Sequence, residues 1–99
     1  MIYELRQYTP NEGKETAMLE RFAKTLPLFK KHGLSLELSS KPLEEPKELW
    51  YLLKFESEAA RDAAWAGFLA DPEWVEIKKN SEATGPLLKQ IKKSLLRSF

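Results

Sequence analysis

Glu4, Arg6 and Tyr8 stand two residues apart near the start of the chain. If that stretch is extended, the two-residue side-chain period puts a carboxylate, a guanidinium and a phenol on one strand face, about 7 Å from each to the next. In a partly dry space such a set has defined chemistry. The guanidinium can hold a carboxylate or phosphate through two parallel hydrogen bonds, the carboxylate can act as a general base, and the phenol can donate a proton or a hydrogen bond. A structural reading fits the same residues: Glu4 and Arg6 as an ion pair that pins the register of a dimer. Glu37, on the polar side of a later alternating segment, is a candidate to join them.

Other chemistry finds less support. The only histidine, His32, precedes Gly33 at the end of a helical stretch, where a positive charge suits the helix dipole, so capping explains it. One histidine without cysteine is a poor zinc site, because zinc takes three or four protein ligands, and no metal is expected. The lack of cysteine also excludes disulfides, iron–sulfur clusters and a cysteine nucleophile. Neither a phosphate-binding glycine loop nor a serine-hydrolase elbow is present, and no cofactor is expected. The net charge of +1 gives no general attraction to nucleic acid or anionic membrane, although six Lys or Arg face one Glu between Lys78 and Phe99. No apolar run approaches the roughly 18 residues of a membrane span, and nothing at the start resembles a leader, so a soluble cytoplasmic protein is the default expectation.

These residues must be held by some scaffold, and 99 residues suffice for a single domain. Ile2 to Tyr8 reads as a first strand, stopped by Thr9-Pro10-Asn11-Glu12-Gly13. From Lys14 to Lys31 the apolar positions Leu19, Phe22, Ala23, Leu26 and Phe29 follow helical spacing; Pro27 inside the pattern should kink the helix or break its last turns. Leu34 to Ser39 alternates, with three leucines on one face. Two prolines punctuate the charged connection Lys41 to Lys47, and Leu49 to Phe55 is a third strand, apolar on both faces. Ser57 then caps a second helix reaching Leu69, where Trp65 is expected in the core, and Asp71-Pro72-Glu73 restarts it through Trp74 to about Glu82. Leu87 to Leu96 suits helix or strand, and a strand from Gln90 to Arg97 completes a sheet.

The order β, α, β, β, α, β defines an α+β ferredoxin-like fold: a four-stranded antiparallel sheet with its helices on one face. The other face, roughly 400 Å² by strand spacing, is then bare. An apolar patch of that size approaches what a monomer tolerates, and the greasy third strand argues that something covers it. Sheet-to-sheet homodimerisation would do so. The polar triplet is expected on this open side, since burial under the helices would cost heavy desolvation.

Ile2-Tyr3-Glu4-Leu5-Arg6-Gln7-Tyr8-Thr9, Gly13-Lys14, Leu26-Pro27-Leu28-Phe29, Lys31-His32-Gly33, Phe55-Glu56-Ser57, Ala70-Asp71-Pro72-Glu73-Trp74 and Gly85-Pro86-Leu87-Leu88 together resemble the NIPSNAP family, in order and at similar spacing. The resemblance implies a dimeric α/β-barrel, two ferredoxin-like subunits with their sheets packed around a central cavity. Where that family often carries His-Leu-Trp in the third strand, this chain has Tyr51-Leu52-Leu53. Tyr51 joins the candidate ligand-binding residues if the strand keeps the family's orientation; its own pattern does not say which face is inward.

Three function classes follow. The first is a homodimer that binds an amphipathic small molecule in the cavity, as apolar strand faces with a few polar groups suggest. The second, by analogy of fold alone, is a cofactor-free monooxygenase or isomerase of the dimeric α/β-barrel type. The third is an RRM-like RNA-binding module, but the third strand lacks the basic-Gly-aromatic signature of that domain, and no nucleic-acid partner is expected.

Overall fold

The computed structural model describes residues 1–99. The strands are β1 (Ile2–Pro10), β2 (Ser35–Ser40), β3 (Leu49–Phe55) and β4 (Leu88–Arg97); the helices are α1 (Glu15–His32), α2 (Glu58–Ala70) and α3 (Pro72–Ser81). All neighbouring strands are antiparallel in the order β2-β3-β1-β4, the ferredoxin-like arrangement, with the three helices on one face.

Alternation decides the faces of the two central strands. Leu49, Tyr51, Leu53 and Phe55 of β3 are buried beneath the helices, together with Ile2 and Glu4 of β1. They meet Met18, Leu28 and Phe29 from α1 and Ala64 and Phe68 from α2. Tyr3, Leu5 and Gln7, with Trp50, Leu52 and Lys54, therefore point to the opposite, outer face.

α1 runs unbroken through Pro27. Both Pro27 and Ala23, whose carbonyl loses its i+4 donor, lie on the exposed side, where water can take the place of the missing amide. The helix ends at Gly33, whose φ of 82° supplies the left-handed cap. Ser57 caps α2 by accepting from the Ala60 amide, and Asp71 caps α3 by accepting from the Glu73 amide, with Pro72 in the first turn.

The alternation of β2 does not hold. Leu36 pairs with Leu53 but Leu38 pairs with Leu52, so Glu37 is the extra residue of a bulge. One inserted residue reverses the faces beyond it. Leu38 is consequently 58% exposed on the outer side instead of sharing a face with Leu34.

Candidate functional site

Glu4 is fully buried, and its carboxylate is filled. Oε1 accepts from Arg61 Nε at 2.9 Å and Trp65 Nε1 at 2.8 Å; Oε2 accepts from Arg6 Nη1 at 3.0 Å and Arg61 Nη2 at 3.1 Å. Burial alone would raise its pKa, but the bonds from Arg61, Trp65 and Arg6 outweigh that, and the carboxyl sits below its ordinary value. With two donors on each oxygen it has no free basicity for proton abstraction. Its role is to hold α2 against β1 and to orient Arg6.

Arg6 lies over the ring of Trp65, its guanidinium carbon 4.5 Å from the ring centroid, and its Nη2 donates to the Tyr8 hydroxyl at 3.4 Å. The Tyr8 hydroxyl is also 2.6 Å from that of Tyr51. Tyr51 is 1% exposed, and burial pushes its phenol well above the usual tyrosine range. β1 and β3 bring these groups together because Arg6 and Tyr51 are direct partners in the ladder.

Arg6, Tyr8 and Tyr51 form one side of a cavity of about 320 Å³ between the sheet and the helices. Phe22 and Phe29 of α1 and Trp65 and Phe68 of α2 supply aromatic walls, with Trp74 of α3 stacked on Phe68 at 4.8 Å. Arg21, bonded at 3.0 Å to Glu82 across the gap from α1 to the end of α3, and Lys78 add polar groups. Leu69 and Ile91, 57% and 49% exposed, mark an apolar margin. No three His, Asp or Glu side chains converge to hold a metal.

Four expectations need correction. Glu4, Arg6 and Tyr8 face the helices, not the open side of the sheet: Arg61 and Trp65 supply the donors that offset the desolvation of Glu4, and the cavity itself lies on this side. Glu4 is a structural anchor, not a base. Glu37 does not join the set: it stays on the outer face, 3.3 Å from Lys54, while Arg6 and Tyr8 lie on the helix side. Trp65 packs on the core as expected, Trp74 does the same, and both also wall the cavity. His32 does not cap α1. It bonds Asp71 at 2.7 Å, and Lys31 bonds the same oxygen at 2.9 Å, tying the end of α1 to the α2–α3 junction. Arg61 was not foreseen, although a lone arginine one turn before Trp65 in an alanine-rich helix is a signal that an acid waits opposite.

A ferredoxin-like sheet with a mixed aromatic and cationic cavity under its helices is the class of protein that fold and site define. The family model described as NIPSNAP matches residues 3–99, and the chain belongs to that family. A NIPSNAP-domain protein from Burkholderia xenovorans superposes with a TM-score of 0.85 at 18% identity, covering 100% of this chain and 95% of that one. A protein from Agrobacterium tumefaciens gives 0.84 at 22% identity, covering 100% and 94%. The fold extends further, to a structure described as a putative antibiotic biosynthesis monooxygenase from Deinococcus radiodurans, with a TM-score of 0.71 at 12% identity, covering 100% and 93%. No curated protein matches the chain.

Proposed function

We propose that this NIPSNAP protein is a homodimer that binds an amphipathic organic molecule in the cavity between sheet and helices of each subunit. One observation carries the reading: an aromatic-walled space of about 320 Å³ closes on the polar cluster Arg6, Tyr8 and Tyr51. Ligand sites are commonly built this way, apolar walls giving affinity and a few fixed polar groups giving orientation. The homodimer is the occupant proposed for the outer face, where Leu5 pairs with Leu52 and Leu38 lies beside them. No helix is long and apolar enough to cross a membrane.

An oxygenation or isomerisation of the bound molecule is the second reading. The Tyr8–Tyr51 pair beside a guanidinium favours it, because such donors stabilise negative charge developing on an oxygen. The fold shared with a structure described as a putative monooxygenase is in keeping with it.

Tryptophan emission tests the primary reading, since Trp65 and Trp74 line the cavity while Trp50 lies on the outer face. Titration with 1-naphthol should quench emission to a plateau, and the quench should persist in Trp50→Phe. Absence of any change at millimolar 1-naphthol, with no retained molecule in native mass spectra of the purified protein, would overturn it.

A further inference from the structure

The direction of the hydrogen bonds in the polar cluster names the ligand's chemistry. The Tyr51 hydroxyl is buried, and the one acceptor within reach of its proton is the hydroxyl of Tyr8 at 2.6 Å. Were Tyr8 the donor, the Tyr51 proton would be buried without an acceptor, at a cost of roughly 1–3 kcal/mol. Tyr51 therefore donates. Arg6 Nη2 donates to the same Tyr8 oxygen. With two inbound donors the Tyr8 oxygen is satisfied, and its own proton has no acceptor in the protein.

Arg6 is likewise in surplus. It has five N–H groups; Nη1 serves Glu4 and Nη2 serves Tyr8, while Nε is buried with no partner. The surplus at this corner is thus in donors, because Glu4 already takes four hydrogen bonds and the Tyr51 oxygen is buried. Arg21 on α1 and Lys78 on α3 also line the cavity, Arg61 on α2 shares Glu4 with Arg6, and Lys93 on β4 is the exposed ladder partner of Arg6. Against these cations Glu82 is paired with Arg21, Glu4 with Arg6 and Arg61, and Asp62 with Arg61.

We propose that the cavity takes a planar phenol or enol and binds it as the anion, its single negative oxygen accepting from Tyr8 beside the Arg6 guanidinium. This rests on the reading of the cavity as a ligand site. The ring lies among Trp65, Phe29 and Phe68, and a proton lost by the ligand goes to the buffer, since the Glu4 carboxylate at this corner is filled. A single negative oxygen matches the one outward proton that Tyr8 supplies, whereas the second oxygen of a carboxylate has only the remaining N–H groups of Arg6 to meet it.

4-Nitrophenol, coloured only as its anion, is the probe, and nitrobenzene is its neutral counterpart. With the protein in excess, the titration midpoint of 4-nitrophenol should fall by about one pH unit, a tenfold preference for the anion. Tyr8→Phe should remove the shift while nitrobenzene binds as before. A Tyr8→Phe/Tyr51→Phe double variant, which leaves no orphan hydroxyl, guards against misfolding and should behave like the single one. A saturated complex with an unshifted midpoint, a shift that survives in Tyr8→Phe, or tighter binding of benzoate than of 4-nitrophenolate would each overturn the proposal. If neither probe binds, the ligand-site reading falls with it.

Discussion

Arg61 of α2 grips Glu4 of β1 with two of its nitrogens, at 2.9 and 3.1 Å, across 57 residues of chain. The fork-shaped contact holds a buried charge in place and sets the height of α2 above the sheet, and with it the depth of the cavity. Removing one partner of a buried pair leaves the other uncompensated, which typically costs 3–5 kcal/mol. Arg6 and Arg61 are both partly reached by water, so Glu4→Ala should lose about 3 kcal/mol in urea unfolding. A loss below about 1 kcal/mol would show that the clamp contributes little net stability.

Acid should weaken the fold through Glu4 and Asp71. The Asp71 carboxyl lies well below its ordinary value, chiefly through the bond from His32, then Lys31 and the Glu73 amide. Both folded carboxyls thus ionise at lower pH than they would in the unfolded chain. Below about pH 4 the unfolded state takes up protons first, so stability is full above that point and falls as pH drops through the folded values. Melting temperatures between pH 3 and pH 7 should trace that decline. Glu4→Gln and Asp71→Asn should each flatten it, and an unchanged slope in both variants would refute the assignment.

Alternation and helical spacing made the element order legible, down to Ser57 and Asp71 as caps, because those signals are local. The facing of the polar triplet was not, because it depends on Arg61 and Trp65, whose donors come from a helix 57 and 61 residues away. Desolvation argues for the open side only until those partners are in view. The facing of Leu38 was equally hidden: a bulge changes the parity of a strand without altering its composition. Tyr51, ambiguous in a strand apolar on both faces, is settled by its ladder pairing with Arg6.

Gly67 shows a different dependence, on the space left for a neighbour. A Cβ built there would stand 3.0 Å from His32 Nδ1, and the ring has little freedom because its other nitrogen is held by Asp71. Alanine gains up to about 1 kcal/mol over glycine within a helix. Gly67→Ala should nevertheless be destabilising here, since it displaces His32 from Asp71. In a His32→Ala background the same change should stabilise by up to about 1 kcal/mol. A double-mutant cycle read by urea unfolding decides it; stabilisation by Gly67→Ala alone would show that the ring gives way freely.

Trp50 separates dimerisation from folding. It is half-buried on the outer face, where its indole donates to Glu48 at 2.8 Å, and its neighbours Tyr51 and Leu49 point the opposite way into the core. A charge at position 50 therefore leaves the packing beneath the helices intact, yet it would be stranded in any sheet-to-sheet interface, where an unpaired buried charge is strongly unfavourable. Trp50→Asp should sediment as a folded monomer, with the circular dichroism of the parent and with 1-naphthol still quenching Trp65 and Trp74. The parent should sediment as a dimer at micromolar concentration. A parent that is already monomeric there would refute the homodimer, and a variant that remains dimeric would place the interface elsewhere than on the outer face of β1 and β3.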